Sequence, residues 1–202
     1  MSMFKIYGDL NSGNCYKLKL LCALLNINHQ WIDVDILKKE TQTDDFIRKN
    51  PNGKIPILEL DNGSVLAESN AILNYLANGT SYLPSDNYLR ALVLQWQFFE
   101  QYSHEPYIAV ARFIQFYLNL PEDRLAEYKS KLAGGYKALD VMEKHLSDKS
   151  FFVGDGPTIA DISLYAYTHV AHEGGFDLAN YPAVQGWINR IKALDGYLGM
   201  LD

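Results

Sequence analysis

The stretch Asn50-Pro51-Asn52-Gly53-Lys54-Ile55-Pro56-Ile57 constrains this chain most, because it sets a proline at the mouth of an apolar segment, Ile57-Leu58-Glu59-Leu60. Proline has no amide hydrogen and cannot sit in mid-sheet, so Pro56 belongs at a strand's first residue or on an edge. An X-Pro bond is also the common place for a cis peptide, which turns the chain sharply. With Ile55-Pro56 cis, the main-chain N–H and C=O of Ile55 face outward and can pair with an extended peptide. The plainer reading is a proline that only starts a strand. What flanks it decides between the two.

Ahead of it, Phe4 and Ile6 alternate with Lys5 and Tyr7, a short strand pattern. A polar loop from Gly8 to Gly13 leads to Leu18, Leu21, Cys22 and Leu25, spaced as one stripe of an amphipathic helix that ends at Asn26 and Asn28. Ile32, Val34 and Ile36 alternate with Trp31, Asp33 and Asp35, which predicts a second strand. Residues 37–49 are polar, with Phe46 and Ile47 to anchor a short helix. After Pro56 come a strand and the hairpin signal Asp61-Asn62-Gly63, where Asn-Gly accepts positive φ, and Val65-Leu66 returns antiparallel. Glu68-Ser69-Asn70 opens a helix with Ile72, Leu73, Tyr75 and Leu76 on its apolar side. The order is β-α-β-α-β-β-α.

Residues 78–87 are polar and rich in turn formers, and read as a linker. Beyond them every pattern is helical. Leu89, Leu92, Val93, Trp96 and Phe99 begin a long helix that Pro106 should kink. Pro121 suits a helix's first residue. Leu125, Tyr128, Leu132, Tyr136, Leu139, Met142 and Leu146 step by three or four. Thr158-Ile159-Ala160-Asp161 fits a capping box. Behind it Ile162 to Val170 is apolar nearly all round, a central helix, and Val184, Trp187, Ile188 and Ile191 mark the last one.

A net charge of −6 with no basic stripe makes nucleic acid and anionic membrane poor partners. No apolar run approaches the ~20 residues of a membrane span. Met1-Ser2-Met3-Phe4-Lys5 lacks the pattern of a secretion signal, and two cysteines, Cys15 and Cys22, fit a reducing cytoplasm better than a disulfide framework.

Taken together, Asn52-Gly53-Lys54-Ile55-Pro56, Glu68-Ser69, and Gly154 followed by Thr158-Ile159-Ala160-Asp161 resemble the cytosolic glutathione transferases over essentially the whole chain. The resemblance implies an α/β thioredoxin-like domain over residues 1–79, a linker at 80–87 and an all-α helical domain over 88–202. It also implies a homodimer, a role in detoxification, and a site for glutathione in the first domain with an apolar co-substrate site against the second. Glutathione is an extended tripeptide with two carboxylates, an amine and a thiol. Its cysteinyl main chain would pair with Ile55 ahead of Pro56. Its γ-glutamyl carboxylate would meet Ser69 at a helix N-terminus, with Glu68 accepting from its ammonium. Lys54 and Gln42 would face the glycyl carboxylate. Asn70 stands where several classes of the family carry an Arg.

Three residues could donate to the sulfur. Ser12, in Ser12-Gly13-Asn14-Cys15, resembles the serine of the theta, delta and tau classes and is the first choice. Asn14 matches the asparagine of the bacterial nu class, whose members look like glutathione-dependent disulfide reductases. Tyr7 stands where the alpha, mu and pi classes carry a tyrosine, although a strand tyrosine on the core is the plainer reading. Cys15 and Cys22 read as buried packing residues. His104, Tyr107, Arg112 and Phe113 on the kinked helix would wall the co-substrate pocket. His169-x-x-His172 with Glu173 is too thin a set for a metal, and none is expected. Three functions compete: transfer of glutathione to a small hydrophobic electrophile, disulfide or peroxide reduction at the same site, and a non-catalytic adaptor.

Overall fold

The structure, a computed structural model, describes residues 4–202. The reading of the amino terminus as lacking a signal segment therefore falls partly outside the described residues. The chain divides into two compact units, one comprising residues up to Asn78 together with Leu194–Asp202, the other Gly79–Ala193.

In the first unit, the strands β1 (Phe4–Gly8), β2 (His29–Asp33), β3 (Ile57–Glu59) and β4 (Val65–Ala67) form one mixed sheet in the order β2-β1-β3-β4. β1 and β2 run parallel, so a crossover must join them, and helix α1 (Gly13–Leu24) does so. β3 runs antiparallel to both β1 and β4, with Tyr7 opposite Ile57 and Lys5 opposite Glu59. Helix α2 (Asp44–Lys49) follows a 3₁₀ turn at Glu40–Gln42, and α3 (Ser69–Leu76) follows β4. The thioredoxin-like order expected from the sequence is the order observed. Ile55-Pro56 is cis, and Pro56 is buried immediately before β3.

Three local expectations change. In the β3–β4 hairpin only Gly63 has positive φ, at 81°. Gly63 N–H donates to Leu60 O and Leu60 N–H to Ser64 O, which makes a three-residue loop ending in a left-handed glycine. Tyr75, placed by periodicity on the apolar side of α3, is exposed while Ile72, Leu73 and Leu76 are buried. Helix α1 has no single stripe: Cys15, Tyr16, Lys17, Leu18, Leu20, Leu21 and Cys22 are all buried. The segment 194–202 covers its far side, with Tyr16 Oη donating to Leu198 O at 2.7 Å.

The second unit has no strand among its described residues. Helix α4 (Asn87–Phe99) passes through a π-helical turn, Glu100–His104, into α5 (Glu105–Arg112), and a second π turn, Phe113–Tyr117, ends the segment. Pro106 lies in the first turn of α5, where a missing N–H costs least, and the π turn before it takes up the expected kink. Pro121 caps a 3₁₀ turn, Glu122–Arg124, instead of starting the helix; α6 (Leu125–Leu146) begins after it. Helix α7 (Ile159–Thr168) is buried along its whole length, and α8 (Pro182–Lys192) buries Val184, Trp187, Ile188 and Ile191.

The capping box at α7 is formed. Asp161 accepts from Thr158 N–H at 2.9 Å, while Thr158 Oγ1 accepts from Ala160 N–H. The same carboxylate also takes Phe152 N–H and Trp187 Nε1–H. Burial pushes its carboxyl up to about 6, and the donated bonds oppose that rise.

Candidate functional site

At the start of α1, Ser12 adopts extended backbone (φ −80°, ψ 121°) because its N–H is held by Asp9 O and its hydroxyl caps the helix. Ser12 Oγ accepts from Cys15 N–H at 3.4 Å, a long cap bond. Capping uses a lone pair of this hydroxyl, which also interacts with the Cys15 thiol. Cys15 is fully buried, and burial pushes its thiol up to about 12 despite the Ser12 hydroxyl. It is a neutral packing thiol, as is Cys22, whose thiol burial also raises to about 12.

At the start of α3, the chain must turn from β4 into a helix within one residue. Glu68 makes that turn at φ 67°, ψ 111°, a conformation that non-glycine residues seldom adopt and that concentrates at functional sites. The next residue, Ser69, is buried; its hydroxyl accepts from Lys17 Nζ at 3.2 Å and donates to Asn14 Oδ1 at 3.3 Å. The first turns of α1 and α3 therefore adjoin, each presenting backbone N–H groups that lack intrahelical acceptors.

Lys17 was not singled out by the sequence reading, and it is 0% exposed. A signal was present: it precedes Leu21 by four and follows Asn14 by three, so it shares a helix face with both. Charged residues on such a face are uncommon unless they have a partner.

The loop before β3 is braced from below. Gly53 has φ 60°, and a side chain there would come within 2.6 Å of Gln42 Nε2. Gln42 Nε2 donates to Gly53 O at 3.2 Å and Asn50 Nδ2 to Lys54 O at 2.7 Å. Gln42, expected beside a carboxylate, is thus bonded to the loop that carries Lys54 and Ile55. Lys54 is exposed, and Ile55 packs on the cluster of Val34, Phe46 and Ile57.

Tyr7 has partners on the sheet and on α2. Its hydroxyl donates to Glu59 Oε2 at 2.8 Å, and Lys49 lies over its ring at 5.1 Å. A phenol has one hydrogen, and this one is committed to a carboxylate. Lys49, with Tyr7 and Lys5, holds the Glu59 carboxyl down at about 2.

The four residues expected to wall a co-substrate pocket lie in different surroundings. His104 is 0% exposed and bonded through Nε2 to Thr168 Oγ1 at 2.9 Å. Arg112 is 2% exposed, paired with Glu173 at 2.6 Å and stacked on Phe116. Both have these partners within the helical unit. Phe113 is half-buried with its ring beside Tyr117. Tyr107 lines a cavity of about 300 Å³, together with Phe99, Tyr102, Ser103, Lys137 and Val141. His169 stacks on Tyr165, and among the described residues no group of three or more His, Cys, Asp or Glu could hold a metal.

Residues 2–78 match the family description "Glutathione S-transferase, N-terminal domain", and residues 97–195 match "Glutathione S-transferase, C-terminal domain". The chain belongs to the glutathione S-transferase family. It is similar to the solved glutathione S-transferase of Pseudomonas fluorescens, with 60% identity and a TM-score of 0.97 over 99% of this chain and 100% of that one. It is also similar to a glutathione transferase homolog from Drosophila mojavensis solved with bound glutathione (28% identity, TM-score 0.82, covering 96% and 89%). The disulfide-bond oxidoreductase YfcG of Escherichia coli is 29% identical over 89% of this chain and 86% of its own. No helix among the described residues of this glutathione S-transferase family member is long and apolar enough to cross a membrane.

Proposed function

We propose that this protein binds glutathione on its first unit and holds the thiol as thiolate for attack on a small hydrophobic electrophile. The observation that carries the reading is the 3.3 Å contact from Ser69 Oγ to Asn14 Oδ1, which joins the first turns of α1 and α3. An extended tripeptide needs an anion site at one end and a sulfur donor nearby. The N-terminus of α3 offers the first, since unpaired N–H groups and the helix dipole favour a carboxylate. Ser12 at the N-terminus of α1 offers the second. Between them the main chain of Ile55 pairs with the cysteinyl residue, Glu68 accepts from the γ-glutamyl ammonium, and Lys54 pairs with the glycyl carboxylate. The bound glutathione of the Drosophila mojavensis homolog supports the choice of ligand. The family's homodimer and a cytoplasmic location belong to the same proposal.

The demand on Ser12 is modest. A free thiol titrates near 8.5, and lowering that by ~2 units takes ~2.7 kcal/mol of preference for the anion. One hydrogen bond to a charged group contributes ~1.5–3 kcal/mol, and the helix dipole adds to it.

A second reading keeps the site and exchanges the electrophile for a disulfide. The observation favouring it is that Ser69 Oγ donates to Asn14 Oδ1, which ties this amide, a second candidate sulfur donor, to the start of α3. The likeness to YfcG points in the same direction.

The two separate in one set of measurements. Ser12→Ala should raise the pKa of bound glutathione by ~1–2 units, so conjugation at pH 6.5 falls ~10–100-fold with far less loss near pH 9. Glutathione affinity should barely change. A larger loss in Asn14→Ala, with disulfides as the better substrates, selects the second reading. A thiolate absorption band that survives both substitutions sinks the assignment of sulfur donors.

A further inference from the structure

Lys17 lies on α1 with no exposed surface, in a run whose other members, Tyr16, Leu18, Leu20 and Leu21, are buried and mostly apolar. Moving an ammonium out of water is costly, and packing alone would be better served by leucine or methionine at this position. Among its contacts is the 3.2 Å bond from Nζ to Ser69 Oγ. We propose that Lys17 is a positioning residue for the anionic end of the ligand, acting through Ser69. The inference rests on the reading that the γ-glutamyl carboxylate sits at the N-terminus of α3.

Two physical effects follow from the geometry. Lys17 occupies one lone pair of Ser69 Oγ, so the hydroxyl hydrogen is turned away from the ammonium. In the structure that hydrogen goes to Asn14 Oδ1. A carboxylate arriving at α3 accepts it instead, which breaks the Ser69–Asn14 bond and couples recognition of the carboxylate to the sulfur end of the site. In addition, the buried cation stands behind the α3 N-terminus, where low polarisability of the surroundings lets it add to the helix dipole in favour of an anion.

An effect through Ser69 on a carboxylate vanishes when either is removed, whereas a packing effect does not. The test compares glutathione with γ-aminobutyryl-cysteinyl-glycine, which lacks only the γ-glutamyl carboxylate, in calorimetric titrations. The unaltered protein should prefer glutathione by about tenfold or more, the worth of a charged hydrogen bond. In Lys17→Met that preference should shrink to about threefold or less, with affinity for the decarboxylated peptide unchanged, and Lys17→Arg should restore most of it. In a Ser69→Ala background, Lys17→Met should remove little further preference. Should the methionine variant not fold, Lys17→Gln, a neutral donor, takes its place in the same comparison. Equal weakening of both peptides, or a preference kept intact with Ser69 present, overturns the proposal. Failure of the unaltered protein to bind either peptide overturns the glutathione site itself, before any Lys17 variant is measured.

Discussion

Tyr7 sits on β1 opposite Ile57, and its hydroxyl reaches Glu59, two residues further along β3. Lys49 and Lys5 approach the same carboxylate, whose side chain is 14% exposed. These partners hold the Glu59 carboxyl near 2 against an ordinary 4.5. A carboxylate with a depressed folded-state value contributes its full stability above its ordinary value and loses it as the pH falls through the lower one. Glu59→Gln should therefore be less stable than the native protein at pH 7. Its denaturation midpoint should also fall less steeply between pH 4.5 and 2; parallel curves for the two proteins would contradict the pairing. Spacing alone left Tyr7, Ser12 and Asn14 all open as sulfur donors. Their hydrogen-bond partners differ: Ser12 caps its own helix, whereas Tyr7 meets Glu59 and Asn14 meets Ser69, each more than fifty residues away. Tyr7→Phe should accordingly cost stability while leaving a bound thiolate's absorption unchanged.

Helix α6 carries adjacent glycines in its middle, Gly134 and Gly135, where propensity disfavours each by ~1 kcal/mol relative to alanine. Their places are set by aromatic rings. A methyl at Gly135 would come within 2.3 Å of Phe176, a ring that is 1% exposed and packed edge-on against Tyr136. Overpacking of that kind costs ~1–3 kcal/mol and exceeds the propensity gain. A methyl at Gly134 would meet the ring of Tyr107 at 2.2 Å, but Tyr107 borders a cavity and has room to swing. Gly135→Ala should lower the melting temperature clearly and Gly134→Ala little, in paired thermal scans; the reverse order would refute the packing argument. The start of α7 makes the contrast. Its capping box lies within Thr158–Asp161, so four consecutive residues announce it. The exposure of Tyr75 and the burial of every side of α1 were not announced, because periodicity locates a helix without saying how many of its faces are covered.

At the scale of the whole molecule, the described chain divides into two units that meet in sequence at Asn78 and Gly79. Residues 194–202 belong with the first unit, although the helical pattern before them had assigned everything after the linker to the second. Gly196, at φ 80°, turns this segment, and Lys19 Nζ donates to Met200 O at 3.1 Å and Asp202 O at 2.7 Å. Tyr16 and Met200 are buried. Removing residues 195–202 should cost at least ~2 kcal/mol in denaturant unfolding of the first unit, the worth of uncovering about one apolar side chain. An unchanged unfolding curve would show that the segment only rests on α1. The sequence by itself determined the order of elements, the strand-opening Pro56, the turn at Gly63 and the cap of α7. Each depends on residues a few positions apart, whose interactions a linear pattern records. Only the tertiary structure decided that Lys17 and Asn14 meet Ser69, that Tyr7 meets Glu59 and that His104 meets Thr168, pairs separated by 52 to 64 residues. Those meetings depend on how the elements pack, and burial then requires each polar group to find its partner wherever the fold places one.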